Sequence, residues 1–467
     1  MKLSKRTRAE VTIFEKEAQL GGTWRDNHYP GAEVDIASHI YSFSFIKYDW
    51  TRTHARRDEL WAYTNFVVDR FRLRDRIRLS TRVTGARWID DDAQYEVSFE
   101  GPDGSTGTER FDAVISAIGL LNVPRYPEWP GLDAFAGIKF HTSRWEHEHD
   151  LAGKTVAVVG TGSTAIQVVP GIADKVGRLY VFQREPGWIE PKAEREFTPR
   201  ERWVYRNIPF AQRIHRYRLW EKANRRFTAY DSESEMQERM REVCTAFIND
   251  TVQDPATRAA LTPDYAWGCK RPIVATTYYD AFNLPQVELV PHAVVSATPT
   301  GLVDAEGVER QVDVLVMSTG FQAQRILAPL DIVGRDGVHL HEAWEERATA
   351  FLGTTVPGFP NFFILYGPNT NGGTSIIAQL EREAEIAVAA IRRLERGART
   401  VDTTPEATRE YVDWIDDELA TATSAKNSGC HNYFTDDHGH IVTEWPREHI
   451  VFWWITRAWR RRGLRYS

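Results

Sequence analysis

"KTVAVVGTGSTAIQVVPGIA" (residues 154–173) runs from an apolar strand through a glycine turn into an apolar helix. Gly160 permits the tight turn, Gly162 lets a pyrophosphate approach the backbone, and the small Ala165 lets the helix pack closely on the strand. Thr161, Ser163 and Thr164 fill the turn between them. Their backbone amides, together with the positive end of the helix dipole, are suited to phosphate. A strand before the fingerprint and a helix after it predict a dinucleotide site rather than a plain structural turn.

The following strand, "GRLYVFQR" (177–184), indicates which dinucleotide. An NAD site places an acid about 20 residues past the fingerprint, to accept from the ribose hydroxyl. This strand ends in Gln183-Arg184, and a guanidinium there suits the 2′-phosphate of NADP. Glu185 stands next to it and opposes that phosphate.

Further upstream, "RAEVTIFEKEAQLGGTW" (8–24) reads as the second strand of another such unit. Its acid, Glu15, is placed to hold a ribose hydroxyl, but no glycine turn precedes it. The expectation is that the start is internal, or that roughly 30 residues of strand, turn and helix are missing before it. "DELWAYTNFVVDRFRL" (58–73) has helical periodicity, "IRLSTRVTGARWI" and "QYEVSFEGP" alternate like antiparallel strands, and "FDAVISAIG" is a buried strand ending in glycine. Residues 190–262 change to long, charged, aromatic-studded helices. The pattern predicts an α/β protein with two dinucleotide-binding, Rossmann-like domains. Residues 1–138 form the first part of one, 139–311 the other with a helical insertion at about 190–262, and 312–467 the returning part and C-terminal segment.

Composition narrows the function classes. A chain of 467 residues suits two or three domains, and a net charge of −7 argues against nucleic acid. Three cysteines do not make a disulfide framework, so a reducing cytoplasm is expected. The basic start lacks a signal-peptide core, and no stretch near 18 apolar residues exists to span a membrane. "WEHEHD" (145–150) does not present a clear metal geometry, and no metal is expected. The C-terminal "HIVFWWITRAWRRRGLRYS" mixes aromatic and basic residues as a helix on a membrane surface does. The oligomeric state is not legible.

Between the two dinucleotide units lies "FAGIKFHTSRWEH" (135–147). Phe135, Gly137, His141 and Trp145 resemble the F-x-G-x-x-x-H-x-x-x-W fingerprint of Baeyer–Villiger monooxygenases, class B flavoproteins, with Glu146 where that family has proline or aspartate. The resemblance extends over almost the whole chain. "GGTW" (21–24) and "YPGAEVD" (29–35) are similar to the flavin-contacting turn, "WGCKRPI" (267–273) to the Lys-Arg pair, "VMSTGF" (316–321) to the linking strand, and "YGPNTN" to a flavin-side loop.

This resemblance implies FAD and NADP(H) as cofactors, and a ketone or other carbonyl compound with O2 as substrates. It implies flavin contacts at Glu15, Gly22, Thr23, Trp24, Asp35, Tyr41, Val83 and Ile376. Lys270 is implied to join Arg184 at the 2′-phosphate, and Arg271, Asp35 and His141 to serve the reaction, with His141 linking the domains. Oxygen insertion through a flavin peroxide needs a fixed cation, and arginine keeps its proton. Asp35 would orient Arg271 by charge-assisted hydrogen bonds. The alternatives are N- or S-oxygenation by a related flavin monooxygenase, or an NADP-binding remnant unable to hold FAD.

Overall fold

The computed structural model describes residues 2–372, 375–426 and 432–467. At its centre five parallel strands lie in the order Val287–Val290, Arg178–Phe182, Thr155–Val159, Val314–Met317, Ile138–His141. The fingerprint strand Thr155–Val159 is almost wholly buried, as a central parallel strand covered on both faces must be. Its core is filled by Val156, Val158, Leu179 and Val181 from the sheet and by Ile166 and Val169 from the helix Ala165–Ile172. Strand Val314–Met317 sits inside this sheet, between the fingerprint strand and the strand carrying His141, so the chain leaves the sheet only after Met317.

The other half is less regular. Ile13–Phe14 pairs in parallel with Ile77–Arg78, and Val114–Ser116 with Phe362–Ile364. Beside them Arg82–Ile89 and Gln94–Glu100 form the expected antiparallel pair, extended by Thr106–Phe111 and, on the other edge, by Asp331–Val333. The helix expected from residue 58 covers Arg57–Arg70 and buries Leu60, Tyr63 and Val67.

The insertion is helical as expected. Pro199–Asn207, Ala211–Phe227, Glu235–Thr251 and Pro255–Leu261 lie between the strands Ile189–Pro191 and Ile273–Ala275, which pair with each other in parallel. Thr198 begins the first helix with a reciprocal capping box to Glu201.

The two halves are keyed together where the turn 29–35 meets the fingerprint helix. A side chain at Gly31, which has φ +85°, would collide with the Gln167 carbonyl. Tyr29 donates to Gln167 Oε1 at 3.0 Å, and Gln167 donates back to the Glu33 carbonyl at 3.0 Å. Of the three cysteines, Cys244 is a buried free thiol, Cys269 is disulfide-bonded and Cys430 lies outside the described residues. The cysteine count does not reveal that bond.

Candidate active site

Asp35 ends the keyed turn, and Arg271 lies two residues before Ile273–Ala275, the short strand that closes the insertion. They are 236 residues apart in sequence, and Arg271 Nη2 donates to Asp35 Oδ2 at 3.0 Å. The side chains keep 34% and 21% exposure, so the pair opens to one side rather than being sealed in a core. Burial alone would raise the Asp35 pKa. The Arg271 guanidinium, with a contribution from Lys192, outweighs it and holds the carboxyl below its usual range. Asp35 in turn raises Arg271 well above the usual arginine value. The result is a cation fixed in charge and held on one side by its counter-ion.

Tyrosines surround this pair. Tyr230 and Tyr433 lie within electrostatic reach of Arg271, as do Tyr41 and Tyr366. Burial pushes Tyr41 and Tyr230 up to about 12, which keeps both hydroxyls protonated. Trp24 donates from Nε1 to the Tyr41 hydroxyl at 3.3 Å, its ring edge-on at 5.8 Å. Tyr366, in the "YGPNTN" loop, donates to Asn371 Oδ1 at 2.8 Å, and Asn371 donates to the Tyr433 hydroxyl at 3.2 Å. Tyr366 has φ 67°, and its backbone amide is held by the buried carboxyl of Glu383 at 2.7 Å. Burial raises Glu383 to about 8.

Lys192, with a side chain 1% exposed, lies 2.5 Å from Glu33 and 3.3 Å from Glu194 and so braces the turn two residues before Asp35. Tyr230, Tyr433, Asn371 and Lys192 were not in the sequence reading of the site. The first, second and last come from segments without a motif, and only the loop carrying Asn371 gave a signal.

The fingerprint turn fits a dinucleotide phosphate. A side chain at Gly160 (φ +119°) would collide with the Ser318 carbonyl, so only glycine can make this turn. A Cβ at Gly162 would meet no atom within 4 Å, which leaves a cradle in front of the turn. Thr164 makes no side-chain cap to the helix Ala165–Ile172, whose Ile166 and Gln167 amides bond the Gly162 and Thr164 carbonyls, so an anion would meet the amides of the turn that precede them. Thr161 and Ser163 complete the turn, and Ala165 is fully buried against the sheet.

Beside the turn, Thr161 donates to the Glu185 carbonyl at 3.0 Å, and the Glu185 carboxylate holds Lys270 in an ion pair. Lys270 also lies over the Tyr265 ring, 4.8 Å from its centroid. Arg184 is exposed next to them. Glu185, the residue after Arg184, thus holds Lys270 beside the fingerprint turn.

The flavin end is also partly assembled. Gly22 caps the short helix Thr23–Asp26, and a Cβ there would meet no atom within 4 Å. Ile376 opens the helix Ile376–Leu394, whose cap residue Ser375 donates to the Ile40 carbonyl at 2.8 Å and so ties it to Tyr41. These positions fit the ring end of a flavin. Glu15 follows its strand with its carboxylate accepting from the Glu17 amide at 3.0 Å, and Val83 pairs with Phe99 in the antiparallel sheet. Among the described residues before Glu15, the strand Ile13–Phe14 is preceded by the helix Lys2–Arg6 and by no glycine turn.

His141 does not join the Arg271–Asp35 pair through any bond. Its Nδ1 accepts from the Ser143 amide at 3.2 Å, which leaves Nε2 to donate to the Gly320 carbonyl at 3.1 Å. Burial lowers its pKa to about 4, so the ring is neutral at pH 7. It fastens the end of strand Ile138–His141 to Gly320, where the chain crosses between halves. In "WEHEHD", Glu146, Glu148 and His149 bring one ligand atom each within 4.8 Å of one another. Glu146 and His149 already pair, at 2.9 Å.

Residues 5–253 match the flavin-binding monooxygenase-like family. A Baeyer–Villiger monooxygenase of Streptomyces coelicolor is 37% identical over 94% of this chain and 84% of its own length. The chain belongs to the flavin-binding monooxygenase-like family. Among solved structures, the closed form of cyclohexanone monooxygenase superposes with a TM-score of 0.86 at 28% identity, covering 98% of this chain and 94% of that one. A complex of OTEMO with FAD and NADP superposes with a TM-score of 0.87 at 25% identity, covering 100% of this chain and 96% of that one. The fold of this family member is thus the two-domain α/β fold of those enzymes.

Proposed function

We propose that the chain is an NADPH- and FAD-dependent monooxygenase that inserts one oxygen atom of O2 next to a carbonyl, turning a ketone into an ester or lactone. The observation that carries this reading is the Arg271–Asp35 pair, set on a turn keyed to the fingerprint helix. When bound, NADPH supplies hydride and FAD supplies the oxygen-activating ring. The turn Gly160–Ala165, with Lys270 and Arg184, would hold NADP(H). Glu15, Gly22, Thr23, Trp24, Tyr41, Val83 and Ile376 would hold FAD.

Arg271 supplies a permanent positive charge where negative charge builds on the oxygen being transferred. An arginine cannot quench that charge by giving up its proton. Asp35 fixes the direction of the guanidinium, and Lys192 with Glu33 braces the turn that carries it. The half-buried tyrosines flank the pair and offer neutral hydroxyl donors to a carbonyl oxygen. His141 acts as a positioning residue, holding Gly320 at the crossing between halves.

The test supplies FAD, NADPH and O2 with a cyclic ketone and, separately, a thioether. Lactone formed in step with NADPH consumption supports the reading. Sulfoxide without lactone favours heteroatom oxygenation, and protein that retains no flavin absorbance favours the remnant.

A further inference from the structure

The insertion opens with a helical hairpin, Pro199–Asn207 and Ala211–Phe227, whose outer surface is not that of an ordinary solvated helix pair. Trp203, Phe210, Ile214 and Tyr217 there, and Ile450 and Trp454 on the C-terminal helix His449–Ala458, are each 52–67% exposed. Phe210, Ile214 and Tyr217 follow at spacings of four and three, which places them on one helical stripe. Trp220 continues the stripe and packs on His449, ring centroids 4.9 Å apart, which brings the C-terminal helix beside the hairpin. Phe210 also has φ 63°, a left-handed backbone that a bulky side chain adopts at a cost, and it spends that cost on putting a ring into water.

The charge on this face has one sign. Residues 199–218 contain six arginines and one acid, and residues 449–467 five arginines and no acid, in a chain of net charge −7. Part of that charge is used internally. Arg202 and Arg206 bond Asp49, Arg457 meets Glu385 at 3.5 Å, and Arg216 donates to the His39 and Ser42 carbonyls. Arg200, Arg213, Arg218 and Arg461 are exposed and carry no salt bridge among the described residues.

We propose that the hairpin and the C-terminal helix form one face that docks on an anionic phospholipid surface. Aromatic and aliphatic side chains would enter the interface while the arginines meet lipid phosphates. A second copy of the chain fits less well. Symmetric pairing would set this arginine-rich face against itself, and of the hairpin's two acids Glu201 is already held by Arg195 while Glu221 lies 3.7 Å from Arg225.

The test is co-sedimentation of the purified full chain with vesicles of phosphatidylcholine alone or mixed with phosphatidylglycerol. Binding to the mixed vesicles only, reversed by high salt, is expected. The double variants Phe210→Asp/Trp454→Asp and Arg213→Glu/Arg218→Glu should each weaken it roughly tenfold or more. Their thermal melts should match that of the wild type, since all four side chains lie outside the core. Equal binding to both vesicle types, or none, overturns the proposal. So does a wild-type dimer that the Phe210/Trp454 variant converts to monomer without changing vesicle binding.

Discussion

The proposed NADP half and the proposed flavin half solve the same problem in different ways. In the NADP half the phosphate cradle is a single run of six residues, Gly160 to Ala165, closed by one strand and one helix. In the flavin half the site is gathered from Trp24, Asp35, Tyr41, Arg271, Tyr366, Asn371 and Tyr433, which span most of the chain. A contiguous cradle is fixed by local backbone geometry, whereas a gathered site depends on how the halves seat on each other. Damage to the first should therefore show as lost cofactor affinity or lost fold, and damage to the second as chemistry that goes astray.

The sharpest way to test that contrast is Arg271→Ala. NADPH consumption should continue while ester formation falls by roughly 10²–10³-fold, with hydrogen peroxide released in its place. Asp35→Ala should show the same uncoupling at roughly tenfold, because the charge stays and only its aim is lost. Parallel assays of NADPH, peroxide and ester check both. Equal coupling in Arg271→Ala and wild type would remove the gathered site from the reaction.

Within the NADP half, two neighbouring glycines should fail differently. Gly160→Ala forces a collision with the Ser318 carbonyl and should destabilise the protein by about 3 kcal/mol, read as a lower denaturation midpoint. Gly162→Ala meets no protein atom and should leave the midpoint unchanged while raising KM for NADPH roughly tenfold. If both variants only lose stability, the turn is a structural one.

The nicotinamide preference should shift less. Lys270→Ala should lower discrimination for NADPH over NADH by roughly tenfold. Glu185→Gln, which frees Lys270 from its ion pair, should raise it a few-fold. Steady-state kinetics with both cofactors decide it, and an unchanged ratio in both variants would move the 2′-phosphate elsewhere.

The smallest effect on turnover is expected from Glu383→Gln, and its signature is in pH. The folded-state value near 8 stands above the ordinary 4.5, so between these pH values the folded protein holds a proton that the unfolded chain has released. That contribution to stability is lost as pH rises from about 4.5 through 8. Melting midpoints of the wild type should fall across this window relative to Glu383→Gln by a few degrees. Parallel curves would show that Glu383 titrates as an ordinary carboxyl.

The same contrast explains what the sequence disclosed. The strand, glycine turn and helix around Gly160 are legible because periodicity and three small residues specify them within one short run. The helical insertion is legible because its residues change from strand-like to helical alternation. Arg271 and Asp35 were singled out through their surrounding motifs, but nothing local shows that they meet. Tyr230 and Tyr433 carry no local mark, since a lone aromatic outside any motif reads as core. Lys192 in "PKAE" reads as a solvated lysine, although the fold places it between two acids. Strand Val314–Met317 shows its burial in sequence but not its sheet, because pairing partners are set by topology.

The exchange of hydrogen bonds between Tyr29, Gln167 and Glu33 bears on grafting. A chimaera that imports a foreign NADP half, in order to change nicotinamide preference, would bring its own residue to position 167 against this chain's turn at Gly31. Unless the donor carries a residue that can both accept from Tyr29 and donate to Glu33, the turn loses its seat, and Asp35 moves with it. Recombination points for this enzyme therefore belong on either side of the turn together with its partner helix, and the two must be inherited as one unit.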